Sequence, residues 1–190
     1  MASGQGQRIG IWIIAIVMTV GTIGSFAVII LANSNSKQDT IKATTDAASI
    51  AKQQEDAAKA NAANSEGFDG YTARTFDAAA VTTLKVETLV EGTGDTVKAT
   101  DSINSSYFGW ISDGTIFDSS KKKDASADAP ITFPLSGVIK GWTQGLTGVK
   151  VGSVVRLSIP ADLAYGASGS GVIPANSPLE FIVKINKIGE

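Results

Sequence analysis

The chain has 190 residues, of which 16 are basic and 18 acidic, and it contains neither cysteine nor histidine. Such a balanced charge gives no concentrated basic field, so no nucleic-acid partner is expected. The absence of Cys and His excludes the usual zinc sites and the Ser-His and Cys-His nucleophile pairs. Any catalysis by this protein must therefore use other groups.

The first predicted element is an apolar run at residues 9–32, which carries no charged residue and no proline. A helix of this length spans a hydrocarbon core of about 30 Å, so the run predicts a transmembrane anchor. A cleavable signal peptide is the alternative, but its apolar core would be shorter, about 7–15 residues. The short tail at residues 1–8 favours a single-pass signal-anchor, with the large C-terminal part outside the cytoplasm.

Residues 33–80 differ in composition from the apolar run that precedes them. Up to residue 67 they lack aromatic side chains and have only Ile41 and Ile50 as large apolar ones, which is too little to form a core. The high Ala, Gln and Lys content predicts a partly helical, polar spacer. A weak coiled coil is the alternative, although sustained heptads are missing. The aromatic residues at the end of this region predict a lead-in that packs on the following domain: Phe68, Tyr71 and Phe76.

Residues 81–190 are predicted to form the globular domain. The segment VTTLKVETLVEGTGDTV has apolar residues at Leu84, Val86 and Leu89, which predicts a half-buried strand. Four more segments, each bounded by turn-forming residues, also predict strands: SINSSYFGWI, PITFPL, GSVVRLSIP and LEFIVKINKI. Only VIKGWTQGL is typical of a short helix. This pattern predicts an α+β domain with an antiparallel sheet.

Within this domain four motifs follow one another in a fixed order: SYFGWISDGTIFDSS, GVIKGWTQGLTGVKVGS, RLSIPADLAYGASGSGVIPANSPLEF and the last strand, EFIVKINKIGE. Each motif alone is weak, but in this order and spacing they make residues 107–181 resemble an FKBP-type peptidyl-prolyl isomerase domain. The resemblance implies a curved antiparallel sheet wrapped over one short helix, with an apolar pocket between them. It also implies proline-containing polypeptides as substrates, macrolides as possible ligands, and no cofactor.

The resemblance also implies a role for individual residues. The catalytic pocket would have Trp142 as its floor, aromatic walls, polar groups at its rim and a backbone N–H that donates to a substrate carbonyl. The residues concerned are Tyr107, Phe117, Asp118, Ile139, Trp142, Tyr165 and Phe181. Further substrate contacts would come from Ile131, Val138, Val172 and Ile173.

The rim of the implied pocket departs from the family pattern. Ile131 stands where an aromatic residue is common, and Gly137 where an acidic residue is common. No Arg in this region is available to pair with Asp118, and the Lys run that begins at Lys121 is interpreted as a solvated loop tip.

Three functions remain open from the sequence. The first is a membrane-anchored prolyl isomerase that acts on unfolded or newly exported proteins. The second is a non-catalytic module or chaperone that binds proline-containing segments with the same pocket. The third is a surface structural protein whose domain serves only as a head group. In that case the aromatic residues would simply form a core.

Overall fold

The structure is a computed structural model and describes residues 37–68, 70–123 and 125–189. The predicted anchor at residues 9–32 lies outside these ranges. Within them, no helix is both long enough and apolar enough to cross a membrane.

The predicted spacer contains one long helix, α1 (Lys37–Ala63). Its Ala-, Gln- and Lys-rich sequence has high intrinsic helix propensity, and exposed i,i+4 ion pairs such as Lys52–Asp56 add a few tenths of a kcal/mol each, about 0.3–0.5. Most side chains described in α1 are exposed, but near its C-terminus Ala58 is buried. The end of α1 therefore packs on the domain that follows.

The domain is built on a six-stranded antiparallel sheet. Its strand order is β2-β7-β8-β3-β4, and β6 pairs with the other end of β3 on the β4 side. The strands are β2 (Lys85–Val90), β3 (Ser102–Trp110), β4 (Ile116–Ser119), β6 (Ile131–Pro134), β7 (Val154–Ile159) and β8 (Leu179–Ile188). A separate pair, β1 (Ser65–Glu66) and β5 (Lys121–Lys122), joins the chain after α1 to the chain after β4.

A second helix, α2 (Lys140–Leu146), packs on one face of the sheet. Gly141 allows this close approach, because a Cβ there would collide with the side chain of Ile159 on β7. The antiparallel sheet with one short helix agrees with the predicted fold class.

Alternation along β3 divides the apolar residues into two clusters. Tyr107 points to the α2 side, while its neighbours Phe108 and Trp110 point to the opposite face. On that opposite face the lead-in packs as predicted, through Phe68, Tyr71, Ala73 and Phe76. The sheet is therefore covered by α2 on one face and by the lead-in on the other.

Two details differ from the sequence-based expectations. The chain forms strand β4 after the turn at Gly114, in a segment for which the sequence analysis predicts no strand. In β2 the predicted single apolar face is wrong. Leu84 packs with the cluster on the α2 side and Leu89 with the other cluster, while Val86 is 43% exposed on this edge strand.

Candidate active site

The aromatic cluster is centred on Trp142 of α2, which is fully buried. The rings of Tyr107, Phe133 and Phe181 each lie with their centroid 5.2 Å from the Trp142 ring. The fifth member, Phe117 on β4, meets Phe181 edge to face at 5.5 Å. Such edge-to-face contacts are favourable by about 0.5–1.5 kcal/mol beyond the area that they bury. The cluster is therefore a rigid apolar surface between α2 and the sheet.

Aliphatic and polar side chains surround this cluster. Ile173 is buried in it, and the remaining neighbours are partly exposed: Ile131, Val138, Ile139, Tyr165 and Val172. The apolar residues predicted for the site thus belong to the same cluster as Trp142, and Asp118 is hydrogen-bonded to Tyr107. Their individual roles in binding or catalysis stay predictions.

Phe133 belongs to the same site but was not predicted from the sequence. It is almost fully buried, and its ring contacts both Tyr107 and Trp142. The alternation in the segment PITFPL was the available signal, because residues 131 and 133 of a strand share one face. Phe133 therefore provides an aromatic ring on β6, the strand on which Ile131 occupies a position that is commonly aromatic in the family.

The polar centre of the site is the carboxylate of Asp118, which is 3% exposed. Its Oδ2 accepts a hydrogen bond of 2.6 Å from the hydroxyl of Tyr107. Burial, and then the neighbouring Asp118 charge, raise the pKa of Tyr107 well above its ordinary value. The Tyr107 hydroxyl is therefore a permanent donor to Asp118 at neutral pH, which fixes the tyrosine ring against Trp142.

Tyr165 and Ile139 supply further polar groups at the edge of the aromatic cluster. Burial, followed by the Asp118 charge, raises the pKa of Tyr165, so its hydroxyl is protonated and can donate. Ile139 directly precedes α2, and its carbonyl accepts a 2.9 Å hydrogen bond from the Trp142 amide. Its own N–H donates to no acceptor within the described residues. Both groups are thus suited to donate to the carbonyls of a bound peptide.

Two residues that the sequence did not predict complete the surroundings of Asp118. Asn61 of α1 donates through Nδ2 to Asp118 Oδ1 at 2.8 Å. Lys122 lies with Nζ 3.5 Å from the same oxygen and 2.7 Å from Asn61 Oδ1. We call these three residues the polar rim. No signal in the sequence marked Asn61, since it is one of several polar residues in an Ala-rich helix.

The position of Lys122 shows that the Lys run beginning at Lys121 is not simply a solvated loop tip. Lys122 is paired in β5 with Ser65, and its side chain is only 27% exposed. Burial lowers the pKa of Lys122, while the Asp118 charge partly opposes this effect. The lysine stands in for the missing Arg as the cationic partner of Asp118.

A cavity of about 610 Å³ lies elsewhere, along the lead-in. Its lining includes Phe68, Tyr71 and Ile116 but none of the residues predicted for the site. In the part of the chain that the structure describes, no cluster of acidic side chains is arranged to hold a metal ion. The convergence of aromatic rings and hydrogen-bond donors around Trp142 therefore defines the candidate active site.

Comparisons with known proteins match the domain that carries this site. A family model described as FKBP-type peptidyl-prolyl cis-trans isomerase matches residues 94–186. The chain is 41% identical over 108 residues to an FK506-binding protein of Neisseria meningitidis serogroup B, covering 56% of this chain and 97% of that protein. It is 47% identical over 94 residues to the isomerase FkpA of Aeromonas hydrophila, covering 50% of this chain and 34% of that protein.

A solved structure agrees with these sequence relatives. The crystal structure of a peptidyl-prolyl cis-trans isomerase from Pseudomonas syringae pv. tomato superposes with a TM-score of 0.50 at 34% identity, covering 56% of this chain and 76% of that one. The chain spans only a third to a half of the length of the FkpA-type relatives, 34% in Aeromonas hydrophila and 48% in Escherichia coli. By the match to nearly the whole of the Neisseria protein, the chain belongs to the FKBP-type peptidyl-prolyl cis-trans isomerase family.

Proposed function

We propose that this protein is a peptidyl-prolyl cis-trans isomerase that acts on X-Pro bonds of unfolded or newly exported proteins. The observation that carries the proposal is the aromatic cluster, in which Tyr107, Phe133 and Phe181 surround Trp142. A prolyl ring is a compact apolar group that can pack against aromatic rings. Family membership supports the same activity.

The proposed mechanism needs no acid, base or metal. Rotation about an X-Pro bond is slow because amide resonance must be lost, and the barrier to such rotation is about 18–20 kcal/mol. In the twisted transition state the C–N bond is nearly single and the carbonyl is less polarised. An apolar, water-free surface therefore disfavours the planar ground state more than the twisted state. Catalysis arises because the site binds the twisted form more tightly.

Each group of residues has a distinct role in this mechanism. Trp142 supports the prolyl ring from below, and the other aromatic rings enclose it. The N–H of Ile139 and the hydroxyl of Tyr165 donate to carbonyls of the peptide and hold one side of the bond while the other side rotates. Asp118 transfers no proton but fixes the Tyr107 ring through their hydrogen bond.

We further propose that residues 9–32 anchor the protein in a membrane, with the isomerase domain outside the cytoplasm. This proposal is supported by the uncharged apolar run, which is long enough to span a hydrocarbon core. Proteins that emerge unfolded from translocation would then be the substrates. Protease accessibility of the domain in intact cells tests this arrangement, because a protected domain would contradict it.

A second candidate function is a binding module or chaperone that holds proline-containing segments without isomerising them. The observation that favours it is Ile131, a partly exposed aliphatic residue where the family commonly has an aromatic one. The same change bears on macrolide binding. FK506, after which the Neisseria relative is named, is the ligand to titrate against Trp fluorescence.

Refolding of a substrate protein whose slow phase is limited by prolyl isomerisation separates these candidates. The full chain in mild detergent should accelerate the slow phase, and Phe117→Ala should remove that acceleration. If the wild-type chain binds the unfolded substrate but leaves the rate unchanged, the binding module is correct. Absence of both binding and acceleration would contradict both candidates.

A further inference from the structure

The last two turns of α1 contact the candidate site at two places. Ala58 is 8% exposed and packs against the loop at Gly171. The contact is so close that a Cβ added to Gly171 would lie 2.5 Å from the Cβ of Ala58. Asn61, three residues later, reaches Asp118 on β4. Residues three apart share one face of a helix, so this face of α1 packs against both the strand and the loop that flank the aromatic cluster.

The amide of Asn61 fits its position in only one orientation. Its Nδ2 lies 2.8 Å from Asp118 Oδ1, and its Oδ1 lies 2.7 Å from Lys122 Nζ. A carboxylate can only accept hydrogen bonds and an ammonium group can only donate them, so the amide must present its NH₂ to Asp118 and its oxygen to Lys122. Asn61 therefore links the buried carboxylate to its cationic partner.

Local structure fixes the end of α1 in this position. The chain leaves the helix directly into β1, which pairs with β5 so that Ser65 lies opposite Lys122. The hydroxyl of Ser65 is buried and donates to the backbone oxygen of Asn61 at 2.8 Å. Asn61 is thus held through its backbone oxygen by Ser65 of β1 and through its side chain by Asp118 and Lys122.

We propose that Asn61 is a positioning residue for prolyl isomerisation, and this inference rests on the proposed function. Asn61 orients the Asp118 carboxylate, whose other oxygen receives the hydroxyl of Tyr107 at 2.6 Å, and Tyr107 in turn packs edge to face on Trp142. The helix that precedes the family match at residues 94–186 is therefore part of the active unit. Without Asn61, Oδ1 of Asp118 keeps only the Ser119 N–H at 2.8 Å and the more distant Lys122 at 3.5 Å, so the carboxylate holds the Tyr107 hydroxyl less firmly.

The first test measures cis-trans exchange of a proline-containing tetrapeptide by the full chain and by Asn61→Ala. The free energy of a hydrogen bond to a buried, charged group corresponds to about a tenfold change in rate, so kcat/KM should fall about tenfold. Asn64→Ala is the matched control, since it makes the same chemical change at an exposed side chain just beyond α1. Its kcat/KM should equal that of the wild-type chain.

The second variant, Asn61→Asp, separates positioning from a loss of stability. The aspartate keeps an acceptor for Lys122 but places a second carboxylate next to that of Asp118. The other titratable groups near this pair are the phenols of Tyr107 and Tyr165. Two carboxylates in contact share a proton more readily as the pH falls. The shared proton restores the donor to Asp118, so kcat/KM should be low near pH 8 and recover toward pH 5. Asn61→Ala should show no such recovery.

Activities are compared per folded molecule, with folding followed by circular dichroism. If Asn61→Ala retains wild-type kcat/KM, or if Asn64→Ala loses as much as Asn61→Ala, the inference is wrong while the proposed function stands. A flat pH profile for Asn61→Asp also overturns the inference. If the wild-type chain itself gives no exchange, the proposed function fails, which is a different result from either of these.

Discussion

The floor of the site and its polar rim are built in different ways. The floor, by which we mean the whole aromatic cluster, consists of side chains from α2 and four strands of one domain, and Trp142 at its centre is fully buried. The polar rim joins Asp118 of that domain to Lys122 of β5 and to Asn61 of the preceding helix. The floor is therefore part of the hydrophobic core, whereas the rim depends on directional hydrogen bonds. Changes in the floor should reduce stability and activity together, and changes in the rim should reduce mainly activity.

The largest expected effect comes from Trp142→Ala. Removal of a fully buried indole that contacts three aromatic rings should lower the free energy of unfolding by about 3–5 kcal/mol. The same change removes the support for the prolyl ring, so activity per folded molecule should be lost. Urea denaturation and peptide isomerisation are the two measurements.

The matched control for this change is Trp110→Ala. Trp110 is 2% exposed and lies in β3 on the face opposite Trp142, where its Nε1 donates to the Arg74 carbonyl at 2.9 Å. Its replacement should destabilise the protein by a similar amount and leave activity per folded molecule intact. If both variants lose activity equally, the two faces of the sheet are not functionally distinct.

The next largest effect is expected from Tyr107→Phe. Tyr107 connects the floor to the rim, because its ring packs on Trp142 and its hydroxyl donates to Asp118. The change removes the 2.6 Å hydrogen bond to Asp118 and keeps the ring on Trp142. A hydrogen bond to a buried charged group contributes about 1.5–3 kcal/mol, so the unfolding midpoint should fall and kcat/KM should drop several-fold. Tyr71→Phe, in the cluster on the other face, is the control and should leave kcat/KM unchanged.

The same tyrosine predicts how stability changes at alkaline pH. The pKa of Tyr107 is raised in the folded protein, so the folded state retains this proton while the unfolded state loses it above about pH 10. This contribution to stability is complete below pH 10 and decreases as the pH rises toward the folded-state pKa. Tyr165 acts in the same direction, and Lys122, whose pKa is lowered, acts in the opposite one.

Urea denaturation between about pH 8 and pH 11 measures this decrease. The Tyr107→Phe variant should lose less stability over this range than the wild-type chain, because one of the two tyrosine contributions is absent. Equal losses in the two proteins would show that the Tyr107 phenol is not the group responsible.

The smallest effect is expected from Lys122→Met within the polar rim. The side chain of Lys122 is partly exposed, and Asp118 keeps its hydrogen bonds from Tyr107 and Asn61. We therefore expect a stability loss of about 1 kcal/mol or less and a modest fall in kcat/KM. Lys123→Met, at an exposed neighbour, serves as the control. A tenfold loss of activity would mean that the charge of Lys122 matters more than the orientation of Asp118.

The contrast between floor and rim also explains what the sequence could predict. The floor was accessible because Tyr107, Phe117, Trp142 and Phe181 lie in motifs whose order is specific. Of the rim, the sequence predicted Asp118 but not its partners Asn61 and Lys122, because those contacts join segments far apart in the chain or depend on how β5 pairs. Asn61 and Asp118 are 57 residues apart, and nothing in an Ala-rich helix indicates which side chain will face a strand.

Local sequence signals also misled at particular places. The segment FDSS has the composition of a turn, yet its first three residues lie in β4 because pairing with β3 outweighs local preference. Leu84, Val86 and Leu89 do not alternate strictly, because Leu84 and Leu89 are five residues apart and residues an odd number apart in a strand face opposite sides. The two leucines accordingly pack in different clusters. The pairing of β4 is a tertiary effect that a short segment does not show, whereas the two faces of this strand follow from the spacing itself.

The central claim is that the surface around Trp142 catalyses rotation about X-Pro bonds. Exchange spectroscopy by NMR on a proline-containing tetrapeptide tests it most directly, because it measures cis-trans interconversion at equilibrium. The wild-type chain should accelerate exchange, and the rate should not change between about pH 6 and pH 9. Trp142→Ala should give the uncatalysed rate, whereas Trp110→Ala should still accelerate exchange. Exchange by the wild-type chain that is no faster than in buffer alone would contradict the claim.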